Sequence, residues 1–260
     1  LDVALPVASV LLVGVLAFAI VYPMRFETEN RKNKRLRRIF ERYGSEAVVQ
    51  WILDAPGGLG LGGARRQMTI LFCDIRDFTS LSEQLAPEEV VELLNEYFSR
   101  VCRPILNHHG LVDKFIGDAV MAVFGAPLPR EDHARQAVMA AWEMQRELMG
   151  FRRWLDHRFP ERGYGESFKV GIGLHTGHAV AGNIGFDKRT DFTVIGDAVN
   201  TASRIEGLTK EMGCGLLISV QTLKEAGEGI VRTGRTTELK VKGRVKPVRV
   251  FEVLSIVELK

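Results

Sequence analysis

Four side chains have the types and settings to do chemistry: Asn200 with Arg204, and Asp74 with Asp118. Asn200 and Arg204 are four apart, which puts them on one face if the segment is helical. An amide beside a guanidinium near a helix start suits an anion, because both donate and arginine keeps its charge at any working pH. Asp74 follows the apolar run MTILFC, and Asp118 lies in a Gly-Asp step between two apolar runs. A carboxylate directly after such a run is poorly explained by packing, since burying an unpaired charge is costly. Two converging carboxylates could hold Mg²⁺ together with waters and substrate phosphates. Blander readings stand beside these: an ordinary exposed helix face for the first pair, and turn-capping aspartates for the second.

The elements that must hold these groups can be read from spacing. In 191–204, DFTVIGDAVNTASR, the residues Phe192, Val194 and Ile195 have strand character and Gly196 allows a sharp turn. Asp197 is the expected N-cap, and Ala198, Val199, Ala202, Ile205 and Leu208 recur at helical spacing. Upstream, 68–73 reads as a strand, and Pro87 with Glu88 and Glu89 opens a helix burying Val90, Val91, Leu94, Phe98 and Val101. Strands are expected over 110–115 and 119–124, a long helix over 131–154, and a strand over 168–175. A hairpin is expected from 179–184 and 191–195, with a polar tip at Asp187, Lys188 and Arg189. A strand at 216–219, a short helix at 221–226 and strands at 237–241 and 249–254 complete the chain. This order predicts an α/β fold of the α+β sandwich kind with a largely antiparallel sheet. In it the first strand neighbours the 110–124 hairpin, so Asp74 and Asp118 can converge.

The chain has 260 residues, 46% of them hydrophobic, enough for one sizeable core plus appendages. A net charge of +3 does not suggest a nucleic-acid partner. Cys73, Cys102 and Cys214 are odd in number and widely spaced, which fits buried free thiols of a reducing compartment. His108 and His109 read as loop residues beside the Gly110 turn. Residues 4–22 are uncharged and apolar, close to the roughly 20 residues that span a bilayer. Arg25, Arg31, Lys32, Lys34, Arg35, Arg37 and Arg38 follow, placing the amino end outside and the remainder in the cytoplasm. The expected layout is a transmembrane helix at 1–24, a juxtamembrane coupling helix at 25–54, a Gly-rich linker at 55–64 and a catalytic domain at 65–260. The stripe Leu36, Ile39, Phe40 and Tyr43 suggests that the coupling helix pairs with its own copy. The chain opens on Leu1, so an upstream sensor region or further spans are expected in a longer protein.

Five ordered motifs carry a resemblance. LFCDIRDFTSLSE (71–83), DKFIGDAVMAVFG (113–125), GIGLHTGHAVAGNIG (171–185), TVIGDAVNTASR (193–204) and VKG (241–243) resemble the class III nucleotidyl cyclase catalytic domain, in that family's order. RRIFERYGSEAVVQWIL resembles the coupling helix of membrane-anchored bacterial cyclases. The resemblance implies a ferredoxin-like βαββαβ core and a homodimer with sites shared between two chains. It implies two divalent ions per site, Mg²⁺ or Mn²⁺, held by Asp74 and Asp118 with the Ile75 carbonyl. Lys114 and Thr193 would read the purine, Asn200 would orient the ribose, Arg204 would stabilise charge on the transferring phosphate, and Lys242 would hold the terminal phosphates. Lys114 and Thr193 match an adenylyl pattern, so the implied substrate is ATP. The apolar run at 4–22 makes the inner membrane the expected location. Three rivals are a guanylyl cyclase, a catalytically silent nucleotide-sensing module, and a cyclic-dinucleotide enzyme. The last would carry a Gly-Gly-(Asp/Glu)-Glu-Phe turn where this chain has Phe115-Ile116-Gly117-Asp118-Ala119.

Overall fold

The structure, a computed structural model, describes residues 62–186, 189–227, 229–239 and 247–257. The expected transmembrane helix, coupling helix and most of the linker lie outside these residues, as does Lys242. Among the described residues no helix is long and apolar enough to cross a membrane.

Among the described residues, eight strands form one sheet. They are β1 (Gly62–Ile75), β2 (Leu111–Ile116), β3 (Ala119–Phe124), β4 (Val170–Phe186), β5 (Arg189–Ile195), β6 (Leu216–Ser219), β7 (Val231–Leu239) and β8 (Val248–Ile256). The sheet order is β2-β3-β1-β4-β6-β8-β7, with β5 paired to β4 off that path. Helices are α1 (Phe78–Ser82), α2 (Pro87–Asn107), α3 (His133–Arg158), α4 (Tyr164–Ser167), α5 (Asp197–Met212) and α6 (Val220–Ala226). The run β1-α2-β2-β3-α3-β4, with β1 antiparallel to both β3 and β4, is the expected βαββαβ core. The β4–β6 pairing is parallel.

β1 is covered on both faces, which is why it reads as a continuous apolar run. Leu71, Cys73 and Ile75 point into a cluster with Leu93, Tyr97, Val101 and Ile105 of α2 and with α3. Met68, Ile70 and Phe72 point the other way, towards Ala198 and Ala202 of α5. On β4, Ile172 and Leu174 join the first cluster, while Gly171 and Gly173 lie under α5. A Cβ on Gly173 would stand 2.2 Å from the Glu206 backbone nitrogen. Absence of a side chain there is what lets α5 lie directly on the strand. A buried chain of hydrogen bonds also crosses the sheet. It runs His133 Nδ1 to Thr69 Oγ1 (2.9 Å), on to Thr176 Oγ1 (2.8 Å), Thr222 Oγ1 (3.0 Å), Ser219 Oγ (3.0 Å) and His175 Nδ1 (2.9 Å). Buried polar groups linked this way pin the register of the elements that carry them.

Several local expectations need correction. The strands expected at 168–175 and 179–184 are one strand, because β1 pairs with β4 from Val170 to Asn183 without a break. β1 itself begins at Gly62, so the last glycines of the expected linker are already strand. β7 begins at Val231, earlier than expected. The N-cap of α5 is Gly196, at φ 155° and ψ 172°, a conformation essentially confined to glycine; Asp197 is instead the first helical residue. Cys73 is buried, but Cys102 and Cys214 are only partly so; all three are free. His108 ends α2 rather than lying in a free loop, with Nε2 3.0 Å from Glu143 and Nδ1 3.0 Å from Gln136.

Gly173→Ala should lower stability by about 2–3 kcal/mol, because the added methyl meets helix backbone that cannot rotate away. Urea unfolding of the two proteins checks this; an unchanged midpoint would show that α5 is not seated on that glycine.

Candidate active site

Asp74 is the penultimate residue of β1, and Asp118 follows Gly117 in the tight turn between β2 and β3. Gly117 takes φ 65°, which reverses the chain in two residues. The pairing β3–β1 brings that turn beside the end of β1. The Ile75 amide lies within hydrogen-bond reach of Asp74 Oδ1 (3.1 Å) and Asp118 Oδ2 (3.2 Å), so the two carboxylates converge. Burial raises the Asp74 carboxyl to about 7, and the hydrogen bond and charge of Asp118 add to the rise. Glu206, whose carboxylate reaches over Gly171, also rises to about 7; burial is the main cause and Asp74 the next, while the Arg76 guanidinium opposes them.

A second grouping lies where β2 meets β5. Lys114 Nζ donates to Thr193 Oγ1 at 2.8 Å, and Thr193 Oγ1 donates to Asp113 Oδ2 at 3.0 Å. Asp113 and Lys114 form an ion pair at 3.3 Å. A third grouping is the outer face of α5. Ala198, Thr201, Ala202, Ile205 and Thr209 are buried, which leaves Asn200 and Arg204 together on the exposed side. Among the described residues neither is held by a hydrogen bond or ion pair. No hydrogen bond of the described residues joins the three groupings to one another.

The model of the adenylate and guanylate cyclase catalytic domain matches residues 63–253. The chain belongs to that family. An adenylate cyclase of Anabaena cylindrica is 40% identical over 230 residues, 85% of this chain and 44% of the relative, so the chain spans less than half of that protein. Among solved structures, the guanylyl cyclase Cya2 is 40% identical with a TM-score of 0.68, covering 76% of this chain and 96% of that one. The adenylyl cyclase CyaB from P. aeruginosa is 32% identical with a TM-score of 0.66, covering 75% of this chain and 97% of that one. Both catalytic types therefore lie at similar distance.

Class III cyclases use divalent ions, and the donors here fit one. The two converging carboxylates are hard oxygen ligands of the kind Mg²⁺ and Mn²⁺ take, leaving room for water and phosphate. The raised affinity of Asp74 for a proton, caused by burial and then by the neighbouring Asp118, is a cost that a divalent cation would relieve. Among the described residues no group of three or more His, Cys, Asp or Glu side chains forms a closed metal cage. Sequence reasoning did not single out Asp113 or Glu206. Asp113 is the neighbour of a named residue, and strand alternation would point it to the other face. Glu206 looks like any helix acid until Gly171 and Gly173 are seen beneath it.

The folded Asp74 binds its proton more tightly than an unfolded carboxyl does. Through this group the metal-free fold gains stability on acidification, and that gain is lost as pH rises through about 7. Asp74→Asn should therefore raise the metal-free melting temperature at pH 8 by about 2–4 °C, flatten its dependence on pH between 8 and 5, and abolish stabilisation by Mn²⁺. Melting curves with and without Mn²⁺ check this; a lower melting temperature at pH 8 would mean that the ionised pair is not strained.

Proposed function

We propose that this domain is an adenylyl cyclase that converts ATP to 3′,5′-cyclic AMP and pyrophosphate. The observation that carries the reading is the hydrogen-bonded pair Lys114–Thr193. The ammonium can only donate, which suits an adenine ring nitrogen, and the hydroxyl can accept from the exocyclic amine. Guanine reverses both groups. Overall similarity does not choose between the purines, since an adenylate and a guanylyl cyclase are each 40% identical to this chain; the choice rests on these side chains.

Asp74 and Asp118, with the Ile75 carbonyl, would hold two divalent ions. When bound, such ions make the ribose 3′-hydroxyl more acidic and neutralise the pyrophosphate leaving charge. Asn200 orients the ribose so that its hydroxyl lies in line with the α-phosphorus. Arg204 donates to phosphate oxygens whose charge grows only in the transition state, so its contribution falls on turnover rather than on binding. Lys242 holds the terminal phosphates.

The reading also includes a homodimer. Asn200 and Arg204 face outward, and Phe115, Ile116 and Ile195 are exposed on the same strands that carry Lys114 and Thr193. A second copy placed by a two-fold axis would cover that apolar surface and bring each Arg204 to the other chain's carboxylates, giving two equivalent sites. The apolar run 4–22 and the basic cluster behind it would anchor the dimer in the inner membrane with the catalytic domain in the cytoplasm.

Purified full chain with Mn²⁺ should make cyclic AMP from ATP, and much less cyclic GMP from GTP. A preference for GTP would favour the guanylyl reading, and nucleotide binding without product would favour a silent module. Arg204→Ala should cut kcat about 100–1000-fold with KM for ATP nearly unchanged, measured by steady-state kinetics; a rise in KM alone would make it a ground-state contact. Mixing inactive Asp74→Ala and Arg204→Ala chains should restore about a quarter of wild-type activity, because half of the dimers then carry one intact site. No recovery on subunit exchange would place each site within a single chain.

A further inference from the structure

Asp113 is the one residue at the purine position whose presence the proposed chemistry does not yet use. Its side chain is completely shielded from solvent, whereas that of Lys114 is 42% exposed. Oδ2 accepts the Thr193 hydroxyl, and Oδ1 is buried without a hydrogen-bond partner among the described residues. Burial raises the Asp113 carboxyl, and the Lys114 ammonium and the Thr193 hydroxyl oppose that rise. A buried carboxylate with an unsatisfied oxygen is destabilising and is not explained by packing.

The backbone is irregular at this point. β2 pairs Val112 with Ala122 and Lys114 with Met121, so Asp113 is the extra residue of a β-bulge. In a regular strand, consecutive side chains point to opposite faces, and Asp113 and Lys114 could not meet the same atom. The bulge re-aims them, and both reach Thr193 Oγ1.

A hydroxyl has one proton and two lone pairs, and its proton goes wherever the best acceptor stands. Here the Thr193 proton is taken by Asp113, one lone pair by Lys114, and one lone pair is left. We infer that Asp113 is a specificity-determining positioning residue: by holding the Thr193 proton it makes that hydroxyl an acceptor only, so that the site favours a purine offering an amine there and opposes one offering a carbonyl. The inference rests on the reading of Lys114 and Thr193 as the purine pair. Without Asp113 the hydroxyl could turn and donate to a guanine carbonyl, and the pair would discriminate through Lys114 alone. With it, a guanine carbonyl meets a lone pair, a repulsive contact of the kind that gives specificity. The fixed proton gives a neutral threonine part of the acceptor character of a carboxylate without placing a second charge against the base.

The test is kcat/KM for ATP and for GTP, measured on the full chain as wild type, Asp113→Asn and Asp113→Ala, each also in a Thr193→Val background. Asparagine keeps the shape, and its amide can donate to Thr193 Oγ1, which turns the hydroxyl proton outward. The ATP-to-GTP ratio should fall about tenfold in Asp113→Asn and by a smaller factor in Asp113→Ala. In the Thr193→Val background, changing Asp113 should move the ratio less than about twofold, because the hydroxyl it acts through is gone. A purely structural Asp113 would lower both activities together and leave the ratio unchanged, which would overturn the inference. A wild type that prefers GTP would overturn the adenylyl reading and this inference with it, whereas an ATP preference kept intact in Asp113→Asn overturns the inference alone. Melting curves identify a misfolded variant. If only Asp113→Asn misfolds, Asp113→Ala decides; if neither folds, the carboxylate is an element of the fold and the inference fails.

Discussion

The architecture depends on one pairing, the antiparallel ladder that joins all fourteen residues of β1 to β4. Each part of the candidate site is attached to it. Asp74 sits near one end, opposite Gly171. Asp118 arrives through β3, which lines the other edge of β1. Thr193 arrives through β5, which pairs with the far half of β4. Asn200 and Arg204 ride on α5, which lies against β4 where Gly171 and Gly173 leave no side chain in the way. A change of register by one residue would exchange the faces of β1, and with them the helices that cover it. The buried hydroxyl chain through Thr69 and Thr176 resists that slip, because every shift would leave several polar groups unpaired.

Charge is distributed unevenly along this frame. The whole chain carries +3, yet the end of β1 gathers Asp74, Asp118 and a half-buried Glu206, with Arg76 as the nearby opposing charge. Burial, and after it the neighbouring carboxylates, raise the affinity of Asp74 and Glu206 for a proton, and for any other cation. The proposed purine position is arranged differently. There Asp113, Lys114 and Thr193 are joined in one hydrogen-bonded set, so direction of donation rather than net charge is the property being held. One end of the candidate site thus stores electrostatic strain that a cation would relieve, and the other stores a fixed hydrogen-bond polarity.

Much of this was legible in the sequence, and the parts that were not share a cause. The Gly117–Asp118 turn and the buried face of α5 follow local rules, because each depends on residues within a few positions. The face of α2 is rotated from the expected one: Val91 is exposed, and Leu93 and Tyr97 are buried beside Val101. The continuity of β4 through Gly177 and His178 does not, since two weak strand formers are held there by β1 as partner. The strand character of Gly62 and Gly63 has the same origin: they pair with Asn183 and Gly182, far away in the chain. The bulge at Asp113 is set by the register of β3 against β2, which no local pattern announces. Aspartate is a good cap, but the backbone at Gly196 reaches a conformation that other residues avoid, and the helix starts at Asp197, one residue earlier than a cap at that position would place it.

The similarity of this chain to both an adenylate and a guanylyl cyclase bears on how purine choice is encoded. A frame this similar can carry either substrate, so the discriminating free energy must come from a few polar atoms at the base edge. In the proposed site, lysine and threonine are unequal in that role. An ammonium has no lone pair, and its preference for an acceptor needs no help. A hydroxyl is ambivalent, and alone it discriminates weakly between an amine and a carbonyl. Whatever selectivity threonine supplies must therefore be set by the group that takes its proton. In this fold that group is a buried carboxylate brought into reach by an irregularity in the strand beside it.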